Sequence, residues 1–310
     1  MMTHIEMTQT ALKASSGVKD AFWFHIQIEG ADDTQSVKEA VPFLDSASIE
    51  ALCADDTRPR VEDFDTDHLI ILRAVNMNPG EEPDDMVSLR IWSDGQSVVS
   101  VVRRRVFAVS RLLGTLAKKP GTFNANELVV RILTNVVENM REPLANFFDI
   151  IDGLEIDFIN DEHKVQQQKL KSIRQSVLAL RRYIAPMRTA VGELEDIADE
   201  WNDLKLLRQI RQAEDNLTRH LEDIDVARER LQYQQEEILA LITDKLNRNM
   251  YRLSIVAAIF LPLGFLTGLL GINVAGIPAA ETPTAFWWVV GGCTAIVLGQ
   301  LAYYKKGGWF

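Results

Sequence analysis

Residues 253–270, LSIVAAIFLPLGFLTGLL, and residues 285–304, AFWWVVGGCTAIVLGQLAYY, are two uncharged apolar runs on either side of the turn GINVAGIPAAE at 271–281. Each is close to the ~20 residues that a helix needs to cross ~30 Å of hydrocarbon. A membrane hairpin is therefore expected at 253–310. The alternative is a buried helix pair inside a large soluble core, but soluble helices of this length usually carry a polar face. Trp287, Trp288, Tyr303, Tyr304 and Trp309 also cluster where aromatic residues sit at a membrane interface.

Because the turn is short, the outer ends of the hairpin must share one side of the bilayer. Lys245, Arg248 and Arg252 precede the first run, Lys305 and Lys306 follow the second, and the turn has no Lys or Arg. The positive-inside rule then puts both termini in the cytoplasm, as in a multi-pass protein of the cell's inner (plasma) membrane. No signal peptide is expected, since residues 1–20 contain no apolar core.

With 310 residues, the chain is long enough for a soluble domain in addition to the hairpin. The formal net charge of −11 argues against a nucleic-acid partner, which would need clustered Lys and Arg. The compact basic stretch Arg103-Arg104-Arg105 is read as a solvated face or a helix start. An acidic surface beside a pore would enrich cations locally, although acidity also serves plain solubility. Of the two cysteines, Cys53 lies in the soluble part and Cys293 in a span, so a disulfide between them is geometrically disfavoured.

Residues 1–20 are polar and aperiodic, and disorder is expected there. From residue 21 the pattern turns to short β-like runs at 22–28, 69–75, 86–92 and 97–102, with a helix expected at 46–53. Ser93-Asp94-Gly95 suits a hairpin turn, which makes the sheet mixed rather than all parallel. The fold class is thus an α+β membrane protein with a mixed α/β soluble domain at 21–191. The only glycine soon after the last strand is the isolated Gly114, so no phosphate-cradling loop is formed.

From Asn126 the apolar spacing is helical, with a kink expected at Pro143. A second helix is expected from about Glu162 to Tyr183, interrupted by Pro186, and a third from about Gly192 into the first span. Residues 192–252 thus form a stalk helix, and with the span the rod reaches on the order of 100 Å at 1.5 Å per residue. Ile210, Leu217, Ile224, Leu231 and Ile238 recur every seventh residue, beside Ala213, Leu221, Ala227, Gln234 and Leu241. The chain's own helices could cover such a seam, yet they are too short to cover the whole rod, so part of it is expected to meet other copies. Two spans from one chain cannot enclose a water-filled path. Transport would need a ring of copies lined by the long helix, whose Ala257, Ala258, Gly264, Gly268 and Gly271 permit close approach.

Gly271-Ile272-Asn273 at the end of the first span, Pro278 five residues later, a second span and the basic-aromatic tail at 304–310 together resemble the CorA-type divalent-metal transporters. That family's usual Gly-Met-Asn is here Gly-Ile-Asn, and Ala279 stands where its loop carries Glu. Gly-Ile-Asn, together with Thr57-Arg58-Pro59-Arg60 and LRAVNMNP at 72–79, is similar to the zinc-transporting ZntB branch. The resemblance covers about residues 22–310. It implies a homopentamer with a cytosolic α/β/α funnel, a long stalk helix continuing as the inner membrane helix, and an outer second helix. It further implies that Gly271, Ile272, Asn273 and Glu281 form the outer pore mouth and that Asn247, Met250, Leu253, Leu261, Gly264 and Gly268 line the pore. Glu236 falls where the family's basal acidic metal site would lie, while Gly264 replaces a hydroxyl residue common in the magnesium branch.

Five Asn273 carbonyls could hydrogen-bond the water shell of a divalent ion without stripping it. Zinc would ordinarily call for His, Cys or carboxylate ligands, and the expected pore has none above Glu236. Zinc then passes hydrated, or its site lies near Glu281 or in the cytosolic domain. His4, His25, His68, His163 and His220 show no paired ligand spacing, and the best cytosolic candidate, Asp161-Glu162-His163, also reads as a solvated helix start. Transport of Zn²⁺ leads, with Mg²⁺ or Co²⁺ as the alternative cargo. A membrane-tethered enzyme is disfavoured because residues 21–250 show no nucleophile motif or metal-ligand spacing, and a scaffold would leave Gly-Ile-Asn unexplained. No cofactor and no enzymatic activity are expected.

Overall fold

The computed structural model describes residues 6–12, 21–28, 34–55, 58–64, 67–118, 123–157, 163–272, 277 and 282–306. The chain divides into two units, Met1–Gln235 and Glu236–Phe310.

The first unit is built on a six-stranded sheet of order β1-β2-β6-β5-β4-β3. Its strands are β1 (Glu6–Leu12), β2 (Ala21–Gln27), β3 (Arg60–Asp63), β4 (His68–Ala74), β5 (Val87–Ser93) and β6 (Ser97–Val102). Only β2 and β6 run parallel, and the other neighbours are antiparallel. The β5–β6 connection is the hairpin read from Ser93-Asp94-Gly95. Asp94 Oδ1 accepts from the backbone N–H of Gln96 and Ser97, and Gly95 takes the positive φ of 77° that the turn requires.

The central strands are apolar on both faces, as expected of a sheet covered on both sides. Ile26, Leu69, Ile71, Val99 and Val101 form one core with Val37 of α1 (Thr34–Ala40) and Ile49 and Leu52 of α2 (Ser46–Cys53). The alternate residues Leu72, Leu89, Ile91 and Val98 are also buried, on the face covered by α4 (Ala125–Glu138), with α3 (Phe107–Lys118) lying on α4. This is the expected α/β/α arrangement.

Several expectations are corrected. The stretch expected to be disordered contains β1, which completes the free edge of β2 with backbone hydrogen bonds and needs no apolar pattern to do so. The helical run from Asn126 is two helices, not one kinked helix. The chain breaks at Asn139 and Met140, and α5 (Arg141–Asp157) carries Pro143 in its first turn, where a missing N–H costs nothing. Pro186 lies inside α6 (His163–Asp199), which runs on past Gly192. The break comes instead at Trp201 and Asn202, the latter at φ 54°. Asp203 then caps α7 (Leu204–Leu270) by accepting from the N–H of Lys205 and Leu206. The long helix therefore starts at Leu204 rather than near Gly192.

Ile210, Leu217, Ile224 and Leu231 are each 0–1% exposed. Polar pairs flank this seam: Arg211–Glu195 and Arg181–Asp225 join α7 to α6, and Arg230–Asp152 joins it to α5. To this point the seam is covered by the chain's own helices. Burial dominates the energetics, at roughly 1.5–3 kcal/mol per large aliphatic side chain against about 0–1 kcal/mol for an exposed pair.

The second unit holds the remainder of α7 and α8 (Ala285–Lys306). Both helices are long and apolar enough to cross a membrane. The soluble-core alternative fails here, because α8 buries none of its residues.

Candidate functional site

At ~100° per residue, a helix presents a face only through positions three and four apart. In the membrane part of α7, Ile255 is 8% exposed, and Ala258, Ile259, Pro262, Leu263 and Leu266 are half-buried. Ile255, Ile259, Pro262 and Leu266 follow the 4, 3, 4 spacing of one stripe. On α8 the half-buried residues Ala285, Val289, Cys293, Ile296 and Gln300 keep the matching spacing. Gln300 Nε2 donates to the Ala258 carbonyl at 3.3 Å and fixes the two stripes toward each other.

The residues assigned to the pore fall elsewhere on α7. Met250, Leu253 and Leu261 are 67–73% exposed, and Asn247, Gly264 and Gly268 are exposed as well. Their spacing places them within an arc of ~120°, centred ~150° from the α8-facing stripe. Glu236 falls in the same arc and is exposed. One helix thus carries an uncovered apolar stripe on the side away from its partner, as an inner helix in a ring would.

The membrane part of α7 ends at Leu270. The Gly271 N–H closes the last turn onto the Thr267 carbonyl at 2.9 Å, and a Cβ on Gly271 would lie 3.1 Å from that oxygen. The close approach explains why glycine opens the Gly-Ile-Asn turn. Ile272 is 48% exposed. Asn273 and Glu281 lie outside the described residues, as do Pro278 and Ala279.

The histidines give no metal centre among the described residues, where no group of three His, Cys, Asp or Glu side chains comes together. His25 is held by Ser100, whose Oγ lies 2.8 Å from Nδ1 and also accepts from Trp23 Nε1 at 2.8 Å. Burial lowers the His25 pKa to about 4, so the ring stays neutral. His68 pairs with Asp63. Burial also lowers the pKa of His220, which lines a cavity of about 700 Å³ with Arg141, Arg219 and Asp223. His4, Asp161 and Glu162 lie outside the described residues.

Arg104 and Arg105 are exposed just before α3, as a solvated stretch at a helix start would be, while Arg103 is half-buried. Arg103 donates to the Cys53 carbonyl and Asp55, Arg104 to Glu81 and Asp85, and Arg105 to Ser110. The sequence reading missed Arg90, which is fully buried on β5 and donates to the Ala54 carbonyl at 2.7 Å. Its only sequence signal was a charge inside an apolar strand, which an exposed face would have explained equally well.

Comparison with known proteins agrees with this fold. The sequence model of the family described as "CorA-like Mg2+ transporter protein" matches residues 18–306. The divalent cation transporter CmaX of Pseudomonas aeruginosa is 36% identical over 298 residues, covering 93% of this chain and 85% of that protein. The zinc transport protein ZntB of Pectobacterium carotovorum is 30% identical over 288 residues, 93% of this chain and 87% of that protein. The solved structure of full-length CmaX superimposes with a TM-score of 0.75 at 31% identity, covering 95% of this chain and 90% of that one. The CorA magnesium transporter of Methanocaldococcus jannaschii shares the fold, with a TM-score of 0.80 at 19% identity over both full lengths.

Proposed function

The chain belongs to the CorA-like family of divalent-cation transporters, and on that premise we propose that it carries Zn²⁺ through a central path ringed by α7 from several identical copies. The exposed stripe of α7 opposite its α8-facing side carries this reading. Two helices cannot shield a hydrated ion from lipid, so the stripe needs copies of itself across an axis. The family resemblance implies five copies, with α8 outside the ring. Leu239, Leu241 and Leu246, exposed on α7 before the span, support further contact between copies.

In this assembly Asn273 forms a polar ring at the outer mouth and holds the ion through its water shell, since amide oxygens accept from coordinated water without replacing it. Met250, Leu253 and Leu261 form the constriction, and Glu236 forms a basal acidic ring. Lys245, Arg248, Arg252, Lys305 and Lys306 keep both ends of the hairpin on the cytoplasmic side. Zinc is favoured over Mg²⁺ and Co²⁺ by the similarity to a zinc transport protein and by Gly-Ile-Asn in place of Gly-Met-Asn.

Purified protein in liposomes holding a metal-sensitive dye tests this directly. Saturable zinc influx exceeding that of magnesium at equal concentration is expected, with sharply reduced influx for Asn273→Ala in an intact assembly. Magnesium flux without zinc flux would reassign the cargo, and a monodisperse 35.0 kDa monomer that transports would remove the ring.

A further inference from the structure

Strand pairing gathers arginines at one end of the sheet. Arg73 on β4 lies directly opposite Ser88 on β5, and Arg90 is two residues further along β5, on the same face. Arg103 follows Val102, the last residue of β6, and by strand alternation it lies on that face too. The three arginines, with Arg104, line one cavity of about 210 Å³ beside the C-terminal end of α2.

Among the described residues, Arg90 and Arg103 are not fully satisfied by their partners. Arg90 is 0% exposed, and its Nη2 donates to the Ala54 carbonyl, but among the described residues neither its Nε nor its Nη1 has an acceptor. Arg103 Nε is likewise buried without an acceptor among the described residues. Arg73 is held by the Met86 carbonyl and the Tyr183 ring, and Arg104 by Glu81 and Asp85. Among the described residues, the carboxylate at the inner arginines is Asp55, 2.9 Å from Arg103 Nη2, and its side chain is 91% exposed. Guanidinium donors left unpaired in an interior are costly, and their fixed fork matches the two oxygens of a carboxylate or phosphate.

We propose that this cavity is a binding site for a small oxyanion, phosphate or carboxylate, which displaces the exposed Asp55 carboxylate and takes up the free donors of Arg90 and Arg103. Asp55 is the internal stand-in for that ligand. Because its side chain is held by a single ion pair, moving it opens the buried donors without disturbing the sheet. Mutual repulsion among Arg90, Arg103 and Arg73 falls when an anion is seated, so binding stabilises the unit.

The test uses the full-length protein in detergent, titrated with inorganic phosphate or acetate against chloride at constant ionic strength, and followed by calorimetry and thermal unfolding. Saturable binding of phosphate, acetate or both, tighter than chloride, is expected, and the stronger of the two identifies the source of the oxyanion. Arg103→Gln should weaken binding at least about tenfold, the effect of losing one charge-assisted hydrogen bond. Asp55→Asn should tighten it, because the competing carboxylate is gone, and the exposed Arg208→Gln should change nothing. Thermal unfolding of unliganded Arg103→Gln shows whether that variant folds, and Asp55→Asn tests the site with both arginines in place. The proposal is overturned if chloride matches phosphate and acetate, or if Arg103→Gln binds like wild type.

Discussion

Gln300 on α8 donates its side-chain amide to the backbone carbonyl of Ala258 on α7 at 3.3 Å. The bond turns one face of α7 toward α8 and leaves the opposite face, with Leu253, Leu261 and Gly264, uncovered. Gln300 thus clamps the two helices together, and in the proposed assembly it lies away from the ion path. Hydrogen bonds between membrane helices average about 0.6 kcal/mol, so Gln300→Leu should keep zinc flux within about twofold of wild type and lower stability slightly. Loss of flux with normal assembly would instead put α8 on the path.

In the proposed assembly, a ring of Met250, Leu253 and Leu261 would offer a hydrated ion no substitute for lost water and would close by dewetting. Leu253→Ser should leak, with faster metal influx and weaker control by metal inside. The check is stopped-flow influx with and without preloaded zinc. Wild-type kinetics for the mutant would show that the register inferred from Asn273 is wrong.

The seam of α7 within the first unit is held by burial. Ile224 is fully buried, and its replacement by Ala should destabilise the unit by about 2–5 kcal/mol through lost contacts and the remaining cavity. Arg181→Ala, which removes a half-exposed partner of Asp225, should cost about 1 kcal/mol or less. Denaturant unfolding that ranks the two in the reverse order would contradict this account of the seam.

Why the sequence revealed some elements and not others follows from the forces involved. The two spans and the Ile210-to-Leu231 seam were legible because burial or lipid imposes a period on many residues at once. Proline is a misleading marker of the helix ends here, because capping sets them. Pro186 sits inside a long packed helix that tolerates one missing hydrogen bond, while the true break was marked by Asn202-Asp203, a left-handed residue followed by an N-cap. β1 escaped notice because an edge strand is recruited by backbone pairing alone. The expected pore positions rest on resemblance, and spacing shows only the helix face that they share. Arg90 was invisible because a charge in a strand normally marks a solvated face, and here it caps the carbonyl end of α2 instead.

His25 makes the first unit sensitive to acid. Burial lowers its pKa from 6.5 to about 4, so between these values the unfolded chain binds a proton that the folded unit does not. Stability is complete above about pH 6.5 and declines as pH falls toward 4, by up to about 3 kcal/mol. His220, lowered by burial in the same sense, adds to the trend. His25→Asn should flatten the dependence of unfolding free energy between pH 6.5 and 5. An unchanged slope would assign it to other groups.

The central claim, that ions travel along the face of α7 turned away from α8, is tested most directly by cysteine accessibility. With Cys53 and Cys293 replaced by Ser, single cysteines are placed at Leu261 and Gly264 on the exposed stripe, and at Ile259 and Leu266 on the stripe facing α8. In liposomes a charged, water-soluble thiol reagent should modify Cys at 261 and 264 and block zinc influx, and should leave 259 and 266 untouched. Reaction and block at 259 or 266, with 261 and 264 inert, would place the water-filled path on the other side of the helix and contradict the account.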